Sequence, residues 1–305
     1  MKVFVTGVGG QLGHDVMNEL QTRGFFGIGS DIAPTYSGIQ DGTAVTRMPY
    51  VSLDITDREA VERAITQAAP DVVVHCAAWT AVDLAEDEGN IPKVNAINAG
   101  GTRNIAESCL KQGCKMIYIS TDYVFDGQGE TPWEPDCKDY NPLNVYGQSK
   151  LAGELAVAEL LKKYFIVRIA WVFGKNGQNF IKTMLRVGKN HDSLRVVCDQ
   201  IGTPTYTLDL ARLLVDMAQT EKYGYYHATN EGGFISWYDF ACEIFRQAGY
   251  STKVIPVTTE EYGVSKAPRP GNSRLSKKKL TENGFTPLPT WQNALERYLK
   301  EIEVI

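Results

Sequence analysis

Tyr146 and Lys150 stand four residues apart in the segment Asn-Val-Tyr-Gly-Gln-Ser-Lys. On a helix, that spacing puts both side chains on one face. An ammonium beside a phenol favours phenolate and lowers the phenol pKa from about 10. Such a tyrosine can pass a proton near neutral pH. The pattern alone is weak, because the chain has 15 tyrosines and repeats it at Tyr262 and Lys266. That second pair sits in a Gly/Pro-bearing stretch with no long helix behind it, so Tyr146 is the candidate. Thr121 closes an apolar run and offers a hydroxyl to a substrate oxygen, or to the backbone at a strand end. Asp122 beside it is either a group on the same rim or a turn cap.

The chain begins MKVFVTGVGGQLG, in which Gly7, Gly10 and Gly13 recur every third residue between an apolar strand and an amphipathic helix. A glycine turn there aims backbone N–H groups at the positive end of a helix, a site for a pyrophosphate. Gly7 lets the chain turn, Gly10 lets backbone approach phosphate and Gly13 lets helix pack on strand. Asp31 lies 18 residues after Gly13, placed to accept from a ribose 2′-OH or to cap a turn. Asp54 ends the third strand and could reach adenine, or cap the next helix. Ala77-Ala78 are small enough for a cofactor ring to approach. The expected nicotinamide-cofactor set, for NADH or NADPH, is Gly7, Gly10, Gln11, Leu12, Gly13, Asp31, Asp54, Ile55, Cys76, Ala77, Ala78 and Thr80, with Tyr146 and Lys150.

These groups need a scaffold that brings strand ends together. Apolar runs at 2–6, 25–30, 50–54, 71–76, 115–120 and 165–171 alternate with helical patterns at 11–20, 57–68, 93–110 and 142–163. That alternation predicts a doubly wound parallel α/β sheet of Rossmann type over residues 1–173. From residue 174 the alternation weakens. Helices are expected at 178–189, 207–220, 236–248 and 290–301, and short strands at 194–198, 224–228 and 253–256. Residues 174–305 read as a smaller substrate-binding lobe, partly interleaved with the first. Residues 33–49 read as a long, mobile loop, from which Arg47 could reach a cofactor phosphate.

Composition narrows the partners. The net charge is −5, with no long basic run, which argues against nucleic acid and anionic membranes. No 18-residue apolar run exists, and the first strand starts at once, leaving no room for a signal peptide. Six cysteines without a C-x-x-C pair, and four histidines, carry no metal-ligand spacing. A cytoplasmic protein with reduced cysteines is expected.

Nine segments run in order from residue 6 to 276: TGVGGQLG, HCAAWTAVDLAE, VNAINAGGT, STDYVFDG, NVYGQSKLAGE, VRIAWVFG, NFIKTM, VCDQIGTPT and RPGNSRLS. In these the chain resembles the extended short-chain dehydrogenase/reductase superfamily and, within it, the dTDP-4-dehydrorhamnose reductases. The resemblance implies hydride transfer from NAD(P)H to the C4 carbonyl of a dTDP-4-keto-6-deoxy sugar. Tyr146 would protonate the alkoxide, Lys150 hold the nicotinamide ribose and Thr121 polarise the carbonyl. It also implies a substrate set of Thr80, Val82, Thr121, Asp122, Trp171, Asn179 and Arg269. Read by itself, Trp171 could be core, Asn179 a helix cap and Arg269 a surface charge. Some members hold Mg2+ at a dimer interface through a glutamate just after the third glycine. Here His14-Asp15 stand there with a shorter carboxylate, which speaks against the metal and leaves a homodimer open. Two rivals share the scaffold: a nucleotide-sugar epimerase or dehydratase, and a non-catalytic subunit like the β subunit of methionine adenosyltransferase.

Overall fold

The computed structural model describes residues 1–36, 48–263 and 265–305. β1 (Lys2–Thr6) feeds α1 (Gln11–Thr22), followed by β2 (Phe26–Asp31) and β3 (Tyr50–Ser52). The expected loop at 33–49 and Arg47 fall largely outside the described residues. α2 (Arg58–Ala68) starts where the Asp57 side chain accepts from the Ala60 N–H. β4 (Val72–His75) leads into α3 (Val82–Ala85), α4 (Ile91–Asn95), a π turn at Ala96–Gly101 and α5 (Thr102–Gln112). β5 (Lys115–Thr121), α6 (Val145–Leu160) and β6 (Tyr164–Ile169) complete the alternation. Several limits differ from the sequence reading: the strand expected over 165–171 ends at Ile169, and the helix expected over 142–163 runs Val145–Leu160. The third strand stops at Ser52, because Asp54 turns back on Thr56. The helix expected over 93–110 is interrupted by the π turn.

Beyond residue 170 the chain forms β7 (Val172–Phe173), α7 (Phe180–Gly188), β8 (Ser193–Val197), β9 (Ile201–Gly202) and β10 (Thr205–Tyr206). α8 (Thr207–Ala218), β11 (Gly224–His227), β12 (Ile235–Ser236), α9 (Trp237–Ala248) and β13 (Lys253–Val257) follow. α10 (Thr259–Tyr262), α11 (Lys278–Glu282) and α12 (Trp291–Glu301) end it.

The main sheet is parallel and runs β11-β6-β5-β4-β1-β2-β3. Period-two alternation divides its side chains between two faces. Val3, Val5, Val72, Val74, Ile117 and Val167 pack with α1 and α8. Phe4, Val73, Met116 and Ile166 pack with α2 and α5. Burial on both faces is why these strands read as continuous apolar runs. The edge strand β11 comes from beyond residue 174: the chain leaves the sheet after β6, forms β7 to β10 and α8, and returns to pair β11 with β6. A separate apolar cluster of Phe173, Ile181, Phe240, Ile244, Trp291 and Leu295 holds α7, α9 and α12 together. The strand order reverses between β1 and β4, and ligands of such sheets bind outside the carboxyl ends at that point.

Candidate active site

A cavity of about 760 Å³ opens at those carboxyl ends. Its lining joins the two constellations read from the sequence: Gly7, Gly10, Gln11, Leu12 and Gly13 on one side, Thr121, Asp122, Tyr146 and Lys150 on the other. The volume lies within the range of small-molecule and cofactor sites.

The glycine turn is fixed by close approach. Gly7 has φ +73°, and a Cβ on it would lie 2.6 Å from the Ala77 nitrogen. A Cβ on Gly13 would lie 2.3 Å from the Gly7 carbonyl oxygen, so α1 packs on the turn only with glycine there. The Asp31 carboxylate accepts from the Gly9 N–H at 2.8 Å and from the Ile32 N–H at 2.7 Å. It lines the cavity while tying β2 to the turn. Asp54, Ile55, Cys76, Ala77, Ala78, Thr80 and Val82 also line the cavity. Asp54 accepts from the Thr56 N–H and hydroxyl at 2.9 and 2.7 Å. Beneath the turn, His75 bridges Thr6 Oγ1 (2.7 Å) and Thr102 Oγ1 (3.0 Å). Burial pushes His75 down to about 3, so it bridges as a neutral ring.

Tyr146 follows Asn144, whose side chain caps α6 by accepting from the Gly147 N–H. The spacing argument needs correction here. Burial pushes the Tyr146 phenol up, the Asp122 carboxylate pushes it further, and a hydrogen bond with Thr121 opposes both. The phenol is therefore protonated at neutral pH rather than poised to ionise. Lys150 does not supply the expected field: its Nζ donates to the Ile119 carbonyl at 2.7 Å and lies 4.3 Å over the Tyr118 ring. Burial brings Lys150 down to about 7. The Thr121 hydroxyl donates to Asp122 Oδ1 at 3.0 Å and accepts from the Tyr123 N–H at 3.2 Å. It is a strand-end cap as well as a cavity residue. Burial raises Asp122 to about 6, against the pull of the Ser273 and Thr121 hydroxyls.

Two expected substrate contacts are not in the lining. Asn179 caps α7, accepting from the Lys182 N–H at 3.0 Å, and donates to Gln11 Oε1, the Gly174 carbonyl and Tyr298 Oη. Its alternative as a cap is the one realised. Arg269 is bound to Asp83 at 2.8 Å, holding the segment after Ser265 against α3. Trp171 does line the cavity. Asp15, weighed for Mg2+, is buried, accepts from the Thr207 hydroxyl, and is pushed up to about 7 by burial. It faces the interior, unsuited to an interface metal. Tyr262 is 43% exposed on α10, and Lys266 pairs with Asp87, so this second pair has no part in the cavity.

The sequence reading missed Gln178, Lys93 and Trp237 in the lining. A signal for Trp237 existed: Ser236 and Asp239 form a capping box that starts α9 on this residue. It also missed Asn98, buried in the π turn. Asn98 accepts from the Trp79 N–H (2.8 Å) and donates to the Trp79 carbonyl (3.1 Å) and Ser149 Oγ (2.9 Å). It thereby ties the segment leading to Thr80 to the helix carrying Tyr146.

Residues 1–304 match the model of the family described as RmlD substrate binding domain. The spore coat polysaccharide biosynthesis protein SpsK of Bacillus subtilis is 39% identical over 300 residues, covering 98% of this chain and 97% of its own. A dTDP-4-dehydrorhamnose reductase structure from Clostridium acetobutylicum superposes with a TM-score of 0.88 at 40% identity, covering 99% of this chain and 100% of the other. The Bacillus anthracis dTDP-4-dehydrorhamnose reductase in complex with NADP gives 0.86 at 39% identity, covering 98% and 99%.

Proposed function

The chain belongs to the dTDP-4-dehydrorhamnose reductase family, and from that premise we propose how its cavity performs the reduction. The enzyme reduces the C4 keto group of dTDP-4-dehydro-L-rhamnose (dTDP-6-deoxy-L-lyxo-4-hexulose) to give dTDP-L-rhamnose. The observation that carries the reading is the sharing of one cavity by the glycine turn and the Thr121, Tyr146 and Lys150 set.

The residues present fit a nicotinamide dinucleotide. The turn around Gly7 and Gly10 leaves backbone bare at the start of α1, where N–H groups and the helix dipole favour a pyrophosphate. Asp31 would take the adenosine ribose, and Cys76, Ala77 and Ala78 offer a narrow wall to the rings. When bound, NAD(P)H supplies the hydride to C4.

Tyr146 then acts as general acid. Its buried phenol keeps its proton until negative charge develops on the C4 oxygen, and releases it there. Thr121, hydrogen-bonded to both Asp122 and the phenol, orients Tyr146, and its single donor would turn from Asp122 to the same oxygen when the sugar binds. Lys150 spends one donor on the Ile119 carbonyl and has two more for the nicotinamide ribose hydroxyls. Thr80, Val82 and Trp171 would enclose the sugar. We place the reaction in the cytoplasm, in keeping with six cysteines that are all free thiols.

The test is the NADPH or NADH absorbance in the presence of freshly made dTDP-4-dehydro-L-rhamnose. The reading expects one cofactor oxidised per dTDP-L-rhamnose formed. A protein that binds the cofactor but consumes none would be the regulatory-subunit alternative instead.

A further inference from the structure

Two stacked indoles form part of the wall of the cavity that Thr121 also lines. The rings of Trp171 and Trp237 lie 3.8 Å apart and 17° from parallel. Trp171 comes just past β6, whose last residue, Ile169, is in register with Thr121. Trp237 opens α9, on the far side of the chain's excursion from the sheet.

Trp171 has φ +50°, a left-handed conformation that bulky residues rarely adopt. Strain of this kind persists where the surroundings over-determine it, and such places cluster at ligand sites. Three neighbours impose it here. The Thr205 N–H donates to the Trp171 carbonyl at 3.1 Å. Gly202 lies against the indole, where a Cβ would be 3.0 Å from Cε2. Trp237 covers the ring and is itself backed by Phe180 at 4.6 Å. The VCDQIGTPT segment thus has a local purpose, to seat one indole.

We propose that Trp237 is a specificity-determining positioning residue: through the stack with Trp171 it presents an apolar wall to the substituent on C5 of the sugar, selecting a methyl over a hydroxymethyl group. The inference rests on the reading above, which sets C4 at Tyr146 and Thr121. The C5 substituent is attached one carbon away, so it falls on whatever flanks that point. By register Thr121 faces Ile169, and Trp171 is the large apolar side chain that lines the cavity two residues beyond it. A methyl group against ring carbons leaves water favourably. A hydroxyl there loses its water partners and gains none from ring carbons. Apolar pockets reject an added hydroxyl by no more than about 10²-fold, so the expected preference is about 10- to 100-fold.

The experiment compares dTDP-L-rhamnose with dTDP-L-mannose, which differ only by the 6-hydroxyl. Oxidation by NADP+ gives kcat/KM, and calorimetric titration gives binding without turnover. Wild type should prefer dTDP-L-rhamnose in both. Trp237→Ala should bring the two sugars within about threefold, chiefly by weakening dTDP-L-rhamnose. Trp237→Phe, which keeps a stacked ring and guards against a mere folding defect, should retain most of the preference. Equal losses for both sugars in Trp237→Ala, or an unchanged preference, overturn the proposal. A wild type that shows no preference in either readout overturns it as well. Preferential binding without any turnover would support the wall while contradicting the reductase reading.

Discussion

Proton supply at Tyr146 depends on burial more than on a neighbouring cation. The phenol sits far above its usual pKa, so the acid form is present throughout the neutral range. Replacing Tyr146 with Phe should lower kcat by about 10²–10⁴-fold, the typical contribution of a positioned acid. The Kd for NADPH should stay within about threefold; a variant with near wild-type turnover would remove Tyr146 from the mechanism. Lys150 has a different task, and its lowered pKa of about 7 dates its effect. Below that pH the ammonium is present to donate, and above it the free enzyme loses it. NADPH affinity should therefore fall as pH rises through about 7, and Lys150→Met should weaken binding and flatten that profile. An unchanged slope in the variant would assign the titration elsewhere. The Tyr146–Lys150 pair and the glycine turn were legible because each spacing stands beside a long helical pattern next to an apolar strand, a context that Tyr262 and Lys266 lack. The electrostatics were not legible, since nothing in a four-residue spacing tells that Lys150 turns to the Ile119 carbonyl. Asn179 and Arg269 lie outside the cavity lining for a related reason: a polar residue at a given chain position is silent about the partner it already holds.

The elements that aim these groups are regular except at one turn. The π turn at Ala96–Gly101 places Asn98 between the Trp79 segment and α6, and such bulges recur at functional sites. Asn98→Ala would take the acceptor from the part-buried Trp79 N–H and one donor from the buried Ser149 Oγ, which keeps its bond to the Tyr146 carbonyl, at a total cost of about 1–3 kcal/mol. We expect a lower Tm, and a loss in kcat/KM that exceeds the loss in cofactor affinity, because Thr80 and Tyr146 drift apart. Equal Tm values for variant and wild type would show that water replaces the amide. Period-two and helical patterning revealed the longer elements, β11 included, while the two-residue strands β7, β9, β10 and β12 and the short helices α10 and α11 are too brief to show a period. Patterning did not reveal that β11 belongs to the main sheet, because an edge strand and a lobe strand of four residues look alike. The π turn was hidden too, since one residue of added helical slack leaves the apolar periodicity of VNAINAGGT almost unchanged.

At the scale of the molecule, chain segments far apart in sequence meet through buried polar contacts as well as through the indole stack. Asp15 on α1 accepts from Thr207 at the start of α8, and burial holds its carboxyl at about 7. A raised folded-state pKa adds stability below the unfolded value, near 3.8, and this contribution is lost as pH rises to about 7. Wild type should therefore lose stability relative to Asp15→Asn between pH 4 and 7, by on the order of a few kcal/mol, with no further change above. Thermal melts of both proteins across that range check it; parallel curves would contradict it. The central claim is that the cofactor on the glycine turn and the sugar C4 beside Tyr146 meet in one cavity for direct transfer. The most direct measurement is transfer from 4-deuterated NADPH, of the reactive stereochemistry, to dTDP-4-dehydro-L-rhamnose, followed by mass and NMR analysis of the sugar. The account expects dTDP-L-rhamnose with a single deuterium at C4. Product with only protium at C4, or cofactor consumed with no rhamnose nucleotide formed, would contradict it.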